Sequence, residues 1–455
     1  MPAGFSLISF KLRFRLKLAV FNLTSSERYI RTCGRYISKL NKKILKPNQY
    51  AMGILKMDCS AFDLSILDKA AKLTKASNLA RNVKMDPSQI CFLASKIYDM
   101  GGHTELIIRM LGLFNEFKTH FIEANSSCGG KEESLAPHKM QLLKQITQAK
   151  TLDRETSICK AIEQLYNALI ETKAKNIFVF IHPEDVVGTA VLGLLKKYTN
   201  SHIIFIPHAD HLLNLGLEFS DVILGGRAIT QARLARYKDK FVPCPNIPKS
   251  SAGQAYTKDA ITNARSQFGI AENEYVSLTG CSSYKVFKDP QLPYWRLIKK
   301  LLQAEPKLKH LFVSDMEEKE FAELNKLFAD ATDDMKRIIF LNSVPDLSLY
   351  INMADIFIDS FPIGSSLVHL DVIKEKKLTI IKINMNNTNL SFESCLYEGY
   401  EYAFADTDTM TKKILHILAD KDERAAIIDK VSRYYAETYS QAKLKKKYLS
   451  VVDSS

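Results

Sequence analysis

Four stretches of the 455-residue chain hold residue types able to move protons or compensate charge. In GGHTE, residues 101–105, Gly101 and Gly102 let the backbone approach a ligand, a helix starting there offers amide donors, and His103 titrates near neutral pH. In IPHADHLLNLG, His208, Asp210 and His211 follow directly on an apolar run. That spacing could ligate a metal, but no third carboxylate or cysteine stands alongside. A loop histidine held by a carboxylate suits proton abstraction or substrate binding better. Lys285 follows the apolar run YVSLTG, where a cation can neutralise charge developing on a leaving diphosphate. The most specific stretch is MADIFIDSFPIGSSLVHLDVIKEKKLTII, residues 353–381. A buried strand ends at Asp359, and a Pro/Gly loop follows. Gly364-Ser365-Ser366 then opens a helix whose amides and hydroxyls can hold phosphate, and Asp371, one to two turns in, can accept ribose hydroxyls. The first three stretches also have a purely structural reading: a helix-capping turn for GGHTE, a hydrogen-bonded loop for HADH, an exposed loop lysine for Lys285.

These residues need a scaffold, and from about residue 88 the chain alternates short apolar runs with helical stretches. ICFLAS, NIFVFIH, HIIFIPH and DVILGG read as strands of a parallel sheet covered by helices. The segment VPCPNIPKSSAGQ, residues 242–254, is rich in Pro, Ser and Gly and reads as a linker. After it the alternation restarts with YVSLTG, HLFVSD, RIIFLNS, DIFIDS and LTIIKI. The expected organisation is a basic helical extension over 1–87, two doubly wound α/β domains over 88–246 and 247–410, and basic C-terminal helices over 411–455. Such domains bind ligands at the carboxyl ends of their strands, so the cleft between them is the expected active site.

With 46% hydrophobic residues and 10% aromatics the chain is globular, not disordered. Its net charge of +13 is uneven, because residues 1–47 hold eleven Lys/Arg against the single acid Glu27. Thr24 and Glu27 form a capping box for a helix through about residue 45, with an apolar stripe of Ile30, Cys33, Ile37, Leu40 and Ile44 beside a basic one. Such a helix either lies on an anionic membrane surface or packs on its own domain with a solvated basic face. Charge confined to one helix, without interleaved aromatics, argues against nucleic-acid binding. The eight cysteines are scattered without CxxC spacing, which predicts no zinc site and a reducing, cytoplasmic location; on the membrane reading, helix 25–46 would hold the chain at the inner membrane face. No run approaches about 18 uncharged apolar residues, and the basic N-terminus lacks the pattern of a signal peptide.

The C-terminal half resembles the GT-B glycosyltransferases, and within them the family of O-linked N-acetylglucosamine transferase and related bacterial protein glycosyltransferases. The matching pieces are Tyr284-Lys285, Trp295, Arg337 to Phe340, Ala354-Asp355 to Asp359, Gly364-Ser365-Ser366 and Asp371, in the family's order. The resemblance extends more loosely to residue 88, with GGHTE and HADH similar to acceptor-domain loops. The turn reads IGSS where the family often has Gly-Gly/His-Thr-Thr, which leaves the acceptor open. The resemblance implies a GT-B fold of two Rossmann-like domains. Lys285 would contact the donor diphosphate, Gly364, Ser365 and Ser366 its phosphate, and Asp371 its ribose, with His103 or His208 as the base. The implied activity is metal-independent, inverting transfer from a UDP-sugar to a glycan, lipid-linked or protein acceptor, needing no cofactor. The alternatives are a nucleotide-sugar epimerase of the same fold or a non-catalytic nucleotide-sugar-binding subunit. Two further patterns are set aside: Glu393 and Glu401 follow LTIIKI, not the phosphate-loop helix, and Asp406-Thr407-Asp408 directly precedes a helix and reads as its N-cap.

Overall fold

The computed structural model describes residues 25–44, 59–75, 77, 79–99, 102–126, 136–207, 209–226, 234–249, 256–344, 346–385, 391–392 and 396–453. Gly101, His208 and Glu393 lie outside them. The chain divides into two compact units. One holds the described residues up to Asp99, His103–Cys244 and the stretch from Lys445, while the other holds Gly102 and Pro245–Leu444.

The first unit is built on seven strands: β1 (Asp86–Ala94), β2 (Lys118–Glu123), β3 (Gln148–Thr151), β4 (Ala174–Phe180), β5 (His202–Phe205), β6 (Val222–Gly225) and β7 (Phe241–Pro243). All neighbours are parallel, in the order β3-β2-β1-β4-β5-β6-β7. Every residue of β4 is buried, which is why NIFVFIH reads as an unbroken apolar run and not as an alternation. Strand order reverses between β1 and β4, so the carboxyl ends of those two strands open a crevice.

Helix Val186–Tyr198 follows β4 and is buried continuously from Val186 to Leu195. A helix apolar all round needs cover on its outer side. Helices Ser26–Ile44 and Ser60–Leu73 supply it. The approach is close: a Cβ on Gly193 would sit 2.9 Å from Leu67 Cδ1 and 3.0 Å from Phe219 Cζ. Ile30, Cys33, Ile37, Leu40 and Ile44 are therefore core residues of the first unit. This corrects the membrane reading of the N-terminal helix, since a stripe already packed against protein has no apolar surface left to bury among lipid headgroups. What remains outside is the basic face, with Arg28, Arg35, Lys39, Lys42 and Lys43 exposed. Among the described residues no helix is long and apolar enough to cross a membrane.

The second unit is a six-stranded parallel sheet of β8 (Tyr275–Gly280), β9 (Leu308–Val313), β10 (Ile338–Leu341), β11 (Ile356–Ile358), β12 (Leu378–Lys382) and β13 (Ala403–Phe404). Its order is β10-β9-β8-β11-β12-β13, with the reversal between β8 and β11. Helix Pro293–Ala304 buries Tyr294, Trp295, Leu297, Ile298, Leu301 and Leu302 along one face, and Trp295 meets Phe312 of β9 at 4.7 Å between ring centroids. Asp406 accepts hydrogen bonds from the amides of Asp408 (3.1 Å) and Thr409 (2.7 Å), which makes Asp406-Thr407-Asp408 the helix cap expected of it.

Candidate functional site

In the second unit the reversal point places two loops side by side. The chain leaves β8 through Cys281 and Ser282 into the short helix Tyr284–Phe287, which carries Lys285. It leaves β11 through Asp359 into the turn ahead of helix Leu367–Lys374. Lys285 Nζ donates to the carbonyl of Gly364 at 3.1 Å, so residues 79 apart in sequence meet at the Gly364-Ser365-Ser366 turn. Ser366 stands at the N-cap of the helix, and its Oγ accepts from Asn246 Nδ2 at 2.8 Å. A hydroxyl that accepts there can still donate its own proton to a phosphate oxygen. Asp371 lies half-buried on the second turn of the same helix. Lys285, Gly364, Ser366 and Asp371 are thus brought to one end of the sheet.

Ser365 is arranged differently. Its amide and its Oγ both donate to Asp359 Oδ1, at 2.8 and 2.7 Å, and it is buried. In this arrangement Ser365 is turned inward and shapes the turn. The other oxygen, Asp359 Oδ2, pairs with His369 Nε2 at 3.1 Å. His369 went unnoticed in the sequence because VHLD reads as helix interior. The available signal was a histidine two residues before Asp371.

Beneath these loops lies a second polar group. His310 of β9 sits between Ser277 Oγ and Tyr294 OH, each at 2.9 Å, and burial pushes its imidazole down to about 3. A neutral ring serves both contacts, and the trio acts as a fixed floor under β8 and β9.

Helix Gly102–Leu111, which belongs to the first unit from His103 on, starts beside Phe180, the last residue of β4. His103 Nε2 lies 3.2 Å from the carbonyl of Phe180. Because a carbonyl only accepts, Nε2 carries the proton and the ring's lone pair is on Nδ1. Burial, with His182 close by as a second cause, pushes His103 down to about 3. The ring centroids of the two histidines are 6.0 Å apart. His182 is itself shifted down, chiefly by burial, and its Nε2 is 3.5 Å from Tyr98 OH. Its amide donates to Ser95 Oγ at 2.8 Å, and Ser95 in turn donates to Asp185, which caps helix Val186–Tyr198 through the Gly188 amide at 2.9 Å. His182 and Asp185 were also missed by sequence reasoning, although NIFVFIH ends in a histidine just as HIIFIPH does.

The loop after β5 is described from Ala209 onward, and there His211 Nδ1 is 3.9 Å from Asp210 Oδ1. Two N-terminal residues hold this loop. Asn41 exchanges hydrogen bonds with Leu213, giving one to its carbonyl (3.1 Å) and taking one from its amide (2.9 Å). Asp63 accepts from the amides of Gly216 (2.9 Å) and Glu218 (3.3 Å). Of the remaining carboxylates, Glu401 is engaged by Lys430 Nζ and Tyr397 OH. Among the described residues the one cluster with metal-ligand geometry is His416, Asp420 and Glu423, on helices beyond β13.

No family model and no curated protein matches the chain. Solved structures do. HepE of Anabaena, in complex with UDP and glucose, is similar at 13% identity and a TM-score of 0.63, over 80% of this chain and 98% of that one. A glycosyltransferase from Rickettsia africae matches at 12% identity and 0.61, over 80% and 97%. O-GlcNAc transferase from Thermobaculum terrenum matches at 11% identity and 0.54, over 94% and 82%. With the two parallel sheets, these similarities establish the GT-B fold that the sequence resemblance implied.

Proposed function

We propose, with the GT-B fold as premise, that this chain is a glycosyltransferase that takes its sugar from a UDP-sugar. The observation that carries the reading is the meeting of Lys285 Nζ with the Gly364 carbonyl at the reversal point of the second sheet. A fixed cation beside a helix N-terminus is what a departing diphosphate needs, because both stabilise the negative charge that appears as the glycosidic bond breaks. Ser366 Oγ–H and the amides at the helix start add neutral donors, and Asp371 offers acceptors for ribose hydroxyls. The uridine preference draws support from HepE, which was solved with UDP and with UDP-glucose.

The acceptor half of the reading rests on the first unit. His103 holds its proton at Nε2, so Nδ1 can receive the proton of an acceptor hydroxyl. The acceptor oxygen then bonds to the anomeric carbon while the bond from that carbon to the diphosphate oxygen breaks, and its electron pair leaves with UDP. A base whose imidazole sits near 3 is weak at neutral pH. Negative charge entering with the substrate raises it, as any nearby anion raises a histidine. His208 is the alternative base. With charge compensation supplied by Lys285 and the helix, the reading is inverting and metal-independent, with a glycan, lipid-linked or protein acceptor.

Calorimetric titration of UDP and UDP-glucose in the presence of EDTA tests it, on wild type, Lys285→Ala and Asp371→Ala. Loss of one hydrogen bond to a charged group weakens binding by about ten- to hundredfold. Each substitution is expected to fall in that range. Absence of UDP binding by wild type, or binding only with a divalent ion, overturns the reading.

A further inference from the structure

Asn246 stands in the stretch whose composition reads as a linker, yet part of that stretch is laid along helix Leu367–Lys374. At one end Asn246 Nδ2 donates to Ser366 Oγ, at the N-cap of the helix, at 2.8 Å. At the other, the carbonyl of Lys249 accepts from the Nζ of Lys374, the last residue of the helix, at 3.2 Å. Ile247 between them is 5% exposed, and Lys249 Nζ reaches Asp346 Oδ1 at 3.1 Å. The lengths agree. Eight residues of helix rise about 12 Å, three extended residues cover about 10 Å, and the lysine side chain makes up the rest. Asn246 is therefore held at the helix start by contacts at the far end of its own segment.

The two serines of the turn differ in where their protons go. Ser365 Oγ donates to Asp359 Oδ1 at 2.7 Å, so its proton is engaged inside the turn. Ser366 is half-buried and its Oγ accepts from Asn246, while among the described residues no group accepts its proton. A serine hydroxyl has one proton and two lone pairs, and an amide Nδ2 cannot accept. With one lone pair bound to Asn246, the proton turns away from residues 246–249. We propose that Asn246 is a positioning residue of the donor site: by donating to Ser366 Oγ it fixes the hydroxyl and leaves the serine's own proton for a phosphate oxygen of the UDP-sugar. This rests on the donor site proposed above.

Calorimetric titration of UDP tests the assignment on the full chain as wild type, Asn246→Leu, Ser366→Ala and the double variant. Asn246→Leu keeps the bulk beside the helix and removes the donor. UDP binding is expected to weaken about three- to tenfold in Asn246→Leu, the effect of losing one neutral hydrogen bond, and about ten- to hundredfold in Ser366→Ala, the effect of losing one to a charged group. In the Ser366→Ala background no hydroxyl remains to be positioned, so adding Asn246→Leu is expected to change the affinity by less than about twofold. A merely structural role for Asn246 would weaken binding by the same factor in both backgrounds. Asn246→Ala carries the same expectations should the Leu variant fail to fold. Wild-type UDP affinity in the Asn246 variant or in Ser366→Ala, or equal weakening with and without the Ser366 hydroxyl, overturns the inference while the donor reading stands. Absence of UDP binding by wild type overturns the donor reading, and this inference falls with it.

Discussion

Asn41 is the residue through which the N-terminal helix meets the loop that carries Asp210 and His211, and Asn41→Leu isolates that link. The side chain is 5% exposed and the loop residue it serves, Leu213, is 3% exposed, so water cannot replace the lost partners. The substitution removes both bonds, at 3.1 and 2.9 Å, and leaves one amide and one carbonyl buried without them. At about 1–3 kcal/mol for each stranded group, and with partial relaxation of the loop, the cost is about 2–4 kcal/mol. For a unit of this size about 2–4 °C is lost per kcal/mol, which puts the fall in Tm at roughly 5–15 °C. Circular dichroism measures that shift. Hydrogen exchange on peptides spanning 209–218 locates it, with faster exchange expected there and no change in β8–β12. Asn41→Asp keeps the acceptor for the Leu213 amide but turns an oxygen toward the Leu213 carbonyl, so it is expected to fall between wild type and Asn41→Leu. A transition within about 1 °C of wild type, with the 209–218 peptides exchanging at the wild-type rate, would refute the idea that the N-terminal helices brace this loop.

Two further outcomes follow from charge and protonation. His310 sits near 3 in the folded chain against an ordinary value of 6.5, so the unfolded chain binds the extra proton between those values. Stability is therefore intact above pH 6.5 and is lost as pH falls toward 3, with a limiting slope of about 1.4 kcal/mol per pH unit for this group. His103 and His182 are shifted in the same direction and add to the slope. Thermal melts across this range should show a flatter decline for His310→Gln, and parallel curves would count against the assignment. The exposed cations Arg28, Arg35, Lys39, Lys42 and Lys43 predict binding to anionic vesicles that is electrostatic only. Co-sedimentation with phosphatidylserine vesicles is expected at low salt, to weaken in Lys39→Glu with Lys42→Glu, and to vanish near about 0.5 M salt, where the screening length is a few ångströms. Salt-resistant binding would mean apolar insertion and contradict the packed stripe.

The sequence by itself determined what is local. Strands buried on both faces must be unbroken apolar runs, so β1, β4, β8 and β9 were legible, and their alternation with helices required parallel sheets. The Gly364-Ser365-Ser366 turn was legible because a glycine loop opening a helix is written in consecutive residues. Its partner Lys285 was legible only as a residue type, since its meeting with Gly364 is made by the reversal of strand order between β8 and β11. The tertiary structure alone decided the rest. An amphipathic helix declares that its stripe must be covered but not by what, and the buried helix Val186–Tyr198, about 150 residues on, was the cover for Ser26–Ile44. The proton on His103 was fixed by the carbonyl of Phe180, and Ser365 was turned inward by Asp359, six residues earlier in the chain. Hydrogen-bond direction depends on which groups face each other in space, and residue type and spacing do not encode it.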